Sequence, residues 1–333
     1  MTMSTSGAAG TGSTLAPGAI AQRYGIFIAL ALACLVLALV SDSFLSTRNL
    51  LNVLRQTSIN GVLAIGMTFV ILTRGIDLSV GSLAALTGVV AASFATTTAT
   101  GFIPGAPYPA PVAILVGLLV GMAAGAVSGV IVARFRVPAF VATLGMLSAA
   151  RGLTLLYAGG RPIPALTDSF RWIGTGDVLG IPVPILLFLG VFAAAHFTLT
   201  QTRFGRHVYA VGGNPHAAKV SGLPVVPIRL LVYVISGGLA GLAGMILAAR
   251  TGSALPQAGI AYELDAIAAV VIGGTSLAGG VGRVSGTLIG ALLIGVMNNG
   301  LDLMGVESYY QQVIKGILIV AAVMLDQSKN KQD

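Results

Sequence analysis

Charge is what this sequence has least of. Only 8% of its 333 residues are Asp, Glu, Lys or Arg, against roughly 25% in an average soluble domain, so the chain cannot coat a water-soluble globule with polar surface. Acid is scarcer than base, 10 residues against 18, for a net charge of +8. That surplus is no nucleic-acid footprint, because no basic patch alternates with aromatics. The one cysteine, Cys34, excludes an intramolecular disulfide and a cysteine-based metal site. The three histidines, His196, His207 and His216, lack ligand spacing and read as structural or solvated, so neither metal nor cofactor is expected. Also missing is a Gly-x-x-x-x-Gly-Lys-Ser/Thr loop: in the closest approach, GVLAIGMT from Gly61 to Thr68, Met67 stands where phosphate binding needs lysine. The loose glycine patterns at Gly174–Gly180 and Gly280–Gly286 follow no strand of a βαβ unit. With no catalytic constellation on a soluble domain, the chain does not read as an enzyme. Uphill movement of a solute would draw on ATP hydrolysis by another chain or on an ion gradient.

What is there is apolar. Hydrophobic residues make up 56%, and several windows run about twenty residues with almost no charge, enough to cross roughly 30 Å of hydrocarbon. The expected fold is an all-α polytopic membrane protein of about ten transmembrane helices. The segments are Tyr24–Val40, Leu50–Thr73, Leu78–Ala95, Val112–Ala133, Ala139–Tyr157, Ile185–Thr200, Leu230–Ala249, Ala266–Gly279, Gly286–Leu303 and Val313–Leu325. The eighth is short and glycine-rich, which predicts a broken or re-entrant helix. Residues 1–22 read as a disordered cytoplasmic tail, 23–326 as the transmembrane domain and 327–333 as a second tail. Arg23 ahead of the first segment fits either a signal peptide or a retained span; the retained span is preferred because an even number of crossings then fits the charges.

Those charges segregate. Arg134 and Arg136, the acid-free stretch 201–229 with Arg203, Arg206, Lys219 and Arg229, and Lys329 and Lys331 fall on one side; Asp42, Asp168, Asp177, Asp302 and Glu307 fall on the other. The positive-inside rule puts the first side, with both termini, in the cytoplasm. Gly117, Gly121, Gly125 and Gly129 recur at the small-xxx-small spacing that lets helices approach closely in lipid, and Gly237, Gly241 and Gly244, at steps of four and three, do similar work. Packing within one bundle is the plainer reading of each.

Residues 72–82, LTRGIDLSVGS, put Arg74 and Asp77 inside an apolar stretch between Gly75 and Gly81. An ionisable group at membrane depth needs a partner. A spacing of three permits an ion pair on one helix face, and the glycines allow a break, tolerated only where backbone is buried or lines a cavity. Glu263 and Asp265 form a similar cluster in the other half, ahead of GTSLAGG. Two broken, charged segments at comparable places point to an internal repeat around a central pathway. Arg74, Asp77, Glu263, Asp265, Asn298 and Asn299 are therefore candidates for that pathway or for a structural polar cluster. The longest connection of the acidic side, 159–183, carries Asp168, Arg171, Asp177 and the single tryptophan, Trp172. It suits docking of a soluble protein, or anchoring at the membrane interface. In 201–229, Asn214-Pro215 predicts a turn into a short helix, HAAKVSG, ended by Gly222. That helix reads either as a docking element for a soluble partner or as a basic loop near anionic headgroups.

The 201–229 segment resembles the coupling loop of ATP-binding-cassette importer permeases: Ala217, Ala218 and Gly222 match its Glu-Ala-Ala…Gly signature, with His216 where glutamate usually stands. GIDLSVGS, PAFVATLGMLSAARGLTLLYAGG, YELDAIAAVVIGGTSLAGGVGRVSGTLIGALLIGVMNNGL and SYYQQVIKG are similar to the ribose-type sugar permeases, over nearly the whole chain after residue 44. The resemblance implies a homodimeric inner-membrane permease subunit, served by an ABC ATPase and by a periplasmic sugar-binding protein. It makes Arg203, Gly205, Arg206, Gly212, Gly213, Asn214, His216, Ala217, Ala218 and Gly222 the ATPase-coupling residues, and Asp168, Arg171, Trp172 and Asp177 the binding-protein contacts. The sugar stays open: ribose, xylose, another aldose or a polyol. Branched-chain amino-acid permeases of the same superfamily match less closely. A gradient-driven transporter using Asp77 or Glu263, and a scaffold that moves nothing, are the other classes.

Overall fold

The computed structural model describes residues 17–99 and 107–330. The helices run α1 Pro17–Val40, α2 Thr47–Leu72, α3 Val80–Ala95, α4 Ala110–Ala133, α5 Ala139–Ala158, α6 Asp168–Thr175, α7 Val183–Gln201, α8 Arg203–Gly213, α9 Pro215–Val220, α10 Val225–Thr251, α11 Tyr262–Ile272, α12 Val284–Leu303 and α13 Ser308–Asn330. Each apolar segment of the sequence carries one of these helices. The first begins seven residues before Tyr24, so residues 17–22 of the expected tail are helical; residues 1–16 and 331–333 lie outside the described residues. Among the described residues, the only strands are an antiparallel pair, β1 Asp177–Val178 and β2 Ile181–Pro182, in the 159–183 connection, with isolated bridges at Thr96–Leu166 and Ile163–Ala254.

Among the described residues, five helices, α4, α5, α7, α10 and α12, are long and apolar enough to cross a membrane. α2 is the central element instead: every residue from Thr57 to Leu72 is buried, facing neighbouring helices rather than lipid. Thr68, for example, shares a 2.8 Å hydroxyl bond with Thr287 of α12. α11 has 11 residues, roughly 16 Å at 1.5 Å per residue, and the chain beyond it is irregular as far as Arg283. The eighth segment is broken as expected. Large apolar side chains such as Leu32, Leu119, Leu156, Phe197 and Ile317 face outward, whereas Thr57, Ser58, Asn60, Ser82 and Ser236 face inward. Apolar outside and polar inside is the arrangement lipid selects.

Small residues bring two long helices into close contact. α4 crosses α10 so closely that a Cβ on Gly121 would stand 2.3 Å from the carbonyl oxygen of Gly237, and one on Gly237 2.1 Å from that of Gly121. The small-residue series therefore packs two helices of the same chain.

Two irregular segments dive between the helices. Residues 73–79 join α2 to α3, and 252–261 join α10 to α11. The second meets the first turn of α3, where Gly81 and Gly259 lie backbone to backbone: a Cβ on either would fall 2.2 to 2.3 Å from the other's carbonyl oxygen. Arg151 of α5 straps the second segment by donating to the carbonyls of Pro256 at 2.6 Å and Ala258 at 2.9 Å.

Candidate functional site

α2 ends with Arg74 in the left-handed conformation, φ 64°, where glycine is the usual occupant. Its N–H donates to Ile71 at 2.9 Å, and that of Gly75 to Val70 at 3.0 Å, closing the helix. The reason for arginine lies in its side chain. Nε donates to the Gly212 carbonyl at 2.5 Å and a terminal nitrogen to the Gly213 carbonyl. Both acceptors belong to the last turn of α8, whose carbonyls carry the negative end of the helix dipole. Gly212 has no room for a side chain, since its Cβ would meet Leu72 O at 1.7 Å. The Gly280 N–H also donates to Leu72 O, at 3.0 Å.

The expected pairing of Arg74 with Asp77 is therefore corrected. A spacing of three brings two side chains together only on a continuous helix, and here the helix has already ended at Leu72. Asp77 is fully buried and accepts from the Ser79 N–H at 3.0 Å, the Ser79 hydroxyl at 2.5 Å and the Ser236 hydroxyl of α10 at 2.8 Å.

Asp265 lies in the first turn of α11. Its Oδ2 accepts from Lys315 of α13 at 3.0 Å, Asn60 of α2 at 3.3 Å and Asn298 of α12 at 3.4 Å. Its Oδ1 and the Asn298 Oδ1 are buried without a hydrogen-bond partner, leaving two acceptors for a hydroxyl-bearing visitor or a water. Glu263 lies apart from this cluster, beside Gly81, with its Oε2 2.6 Å from where a Cβ on that glycine would stand. Asn299 belongs to a clasp: its amide and that of Asn49 exchange two 2.9 Å bonds between α12 and α2. Lys315, Asn60 and Ser236 were missed by sequence reasoning. Of these, Lys315 carried a signal, a lysine within an apolar segment.

The 201–229 connection is two helices. Thr202 caps α8 by accepting from the Gly205 N–H at 3.2 Å. Arg203 and Arg206 are exposed on α8, and Tyr209 donates to the Gly282 carbonyl at 2.9 Å. Burial pushes the Tyr209 phenol above its ordinary pKa, against a smaller opposing effect of Arg283. Asn214 caps α9 by accepting from the His216 and Ala217 N–H groups at 3.0 and 2.9 Å. Gly222 ends it at φ 82°, as the sequence predicts. Ala218 packs inward, while His216, Ala217, Lys219 and Val220 are exposed.

On the opposite face, Asp168 and Arg171 pair at 3.7 Å within α6, and Trp172 is half exposed. Asp177 begins the β1–β2 hairpin, whose tip, Leu179, is 98% exposed. Sequence reasoning passed over that tip.

A family model described as the branched-chain amino acid transport system / permease component matches residues 49–323. The chain is 51% identical over 306 residues to the ribose import permease protein RbsC of Escherichia coli (strain K12), covering 91% of this chain and 92% of that one. It is 47% identical over 313 residues to RbsC of Bacillus subtilis (strain 168), covering 93% and 94%. With the D-allose transport system permease protein AlsC of Escherichia coli (strain K12) it shares 40% identity over 311 residues, 93% of each chain. No solved structure matches the chain. On these likenesses, over nearly its whole length, the chain belongs to the branched-chain amino acid transport system / permease component family, and within it to the ribose-type permeases.

Proposed function

We propose that this chain is the permease subunit of an ATP-binding-cassette importer, forming the path by which ribose or a related monosaccharide crosses the inner membrane. The observation that carries the mechanism is the Arg74 joint, which ties the α8–α9 pair to the irregular segment 73–79. ATP is hydrolysed in a separate ATPase subunit that docks on the exposed face of α9. Its movement reaches the membrane interior through Arg74. A periplasmic binding protein docks at α6 and the 177–182 hairpin, through Asp168, Arg171, Trp172 and Asp177, and delivers the sugar to the path between two copies of this chain.

The chain crosses the membrane ten times with α8, α9 and both termini in the cytoplasm. The charge segregation supports this, as does the meeting of Arg136 and Lys219 in one cleft. The two halves form an internal repeat, in which α2 to α5 correspond to α10 to α13. In support, α10 packs on α3 and α4 as α2 packs on α11 and α12, and α3 packs on α5 as α11 packs on α13. Asp77 reaches across to Ser236 of α10, and Asp265 to Asn60 of α2. Asp265 and Asn298 belong to the translocation path; Arg74 and Asp77 transmit force rather than touch sugar.

Uptake of labelled ribose, allose, xylose and leucine into cells carrying the complete transport system, with this chain deleted or restored, tests the reading. Restoration of pentose or hexose uptake that collapses on ATP depletion supports it. Restoration of leucine uptake alone would move the chain to the amino-acid permeases. Uptake that survives ATP depletion and follows the ion gradient would make it a secondary transporter.

A further inference from the structure

On the face that carries α8 and α9, the α4–α5 connection, α9 and the start of α10 enclose a cleft of about 610 Å³. Arg74, Arg136, Lys219, Arg229 and His216 line it, and no carboxylate does. Arg74 is committed to α8. Arg136, Lys219 and Arg229 form no salt bridge among the described residues. The nearby Asp77 is fully buried and held by Ser79 and Ser236.

Two further groups are left without partners. Tyr233 lines the cleft on a side chain only 1% exposed, and its hydroxyl, buried beside Gly75, makes no hydrogen bond; the Arg229 Nε is likewise buried and unpartnered. Buried donors of this kind are almost always satisfied. An N–H and an O–H beside unpaired cations ask for an acceptor that is itself negative and has several oxygens. A phosphate group meets that description, and a neutral sugar does not.

The surroundings select the source of the phosphate. Phe135 and Phe140, 70% and 57% exposed, adjoin in sequence the lining residues Arg136 and Ala139, and Val226, 40% exposed, lines the wall. An apolar rim beside a basic cleft suits a molecule with a charged head and hydrocarbon tails, and basic pockets between helices at the cytoplasmic leaflet are where acidic lipids bind. We propose that this cleft binds the phosphate headgroup of an acidic phospholipid of the inner leaflet, bridging α9 to the α4–α5 connection. The proposal does not depend on which solute is carried.

The test places the full-length chain in nanodiscs of equal phosphatidylglycerol and phosphatidylcholine, extracts it gently, and identifies retained lipid by native mass spectrometry. The wild type should retain phosphatidylglycerol roughly tenfold over phosphatidylcholine, since each cation near an anionic surface contributes appreciably. The Arg136→Gln/Arg229→Gln variant should lose that preference, and Arg161→Gln, exposed on the opposite face, should keep it. Tyr233→Phe removes only the unpartnered hydroxyl and should weaken retention several-fold at an unchanged elution volume. If the double variant aggregates, Arg136→Gln/Lys219→Gln, both exposed, replaces it. Equal retention of the two lipids by the wild type, or a preference that survives the charge-removing variants, overturns the proposal. So does a cleft that takes inorganic phosphate but no phosphatidylglycerol. A preference that disappears once the ATPase is bound also overturns it, and gives the cleft to a carboxylate of that partner.

Discussion

Arg74 holds a left-handed backbone, φ 64°, that disfavours a side chain by about 1–2 kcal/mol. Glycine there would relieve the strain but gain freedom in the unfolded chain, so the stability of Arg74→Gly should stay within about 1 kcal/mol of wild type. Its transport should fall at least roughly tenfold, because two charge-assisted hydrogen bonds to α8 go with the side chain. Melting temperature and uptake measured on the same preparation check this, and a variant that transports normally would remove Arg74 from the coupling path. Arg74→Lys should recover only part of the loss, since an ammonium lacks the planar fork that reaches two carbonyls. The Asp265–Lys315 pair invites a second comparison. The carboxylate is 4% and the lysine 18% exposed, and breaking a buried pair from one side costs about 3–5 kcal/mol because the remaining charge is unpaired. Lys315→Met should therefore melt well below wild type, and Asp265→Asn/Lys315→Met should recover most of the difference. A double variant no more stable than the single one would mean the two groups do not depend on each other.

Elements were legible where their signals are local. Asn214-Pro215 and Gly222 bracket α9 within a few residues, and the shortness of the eighth segment announced the broken α11. The glycine series of α4 found its partner on α10, because close approach in lipid leaves so few other uses for glycine at every fourth position. Gly237→Val should lower the melting temperature sharply in detergent: its Cβ would meet the Gly121 carbonyl at 2.1 Å, and overpacking of about 1–3 kcal/mol is a minimum where the obstacle is backbone. Gly190→Ala, with open space around it, is the matched control. A Gly237→Val protein that melts with that control would mean α4 and α10 can separate freely. The polar clusters were legible only in part. Asp77 and Asp265 stand out as acids in apolar sequence, but their partners come from distant helices. Lys315 is 50 residues from Asp265, and Ser236 is 159 from Asp77. The Arg74–Asp77 pairing failed for the complementary reason. Spacing within a segment says nothing about where the helix stops.

For the molecule as a whole, the sidedness is open to a direct check. In a Cys34→Ser background, a cysteine at Ser221 should react with a membrane-impermeant maleimide only in inverted vesicles, and one at Leu179 only in intact spheroplasts. Both residues are exposed, so the same orientation for both would break the proposed topology. A consequence also follows from the place where Gly81 and Gly259 touch. The contact is main chain against main chain: the first turn of α3, which follows the segment from the Arg74 joint, meets the segment strapped by Arg151. A channel that parts at both ends together is a leak, ruinous to a cell that maintains its ion gradients. In the proposed path, such a locked crossing would act as an airlock: a displacement begun at one mouth would be carried to the other, so the two mouths would not open independently.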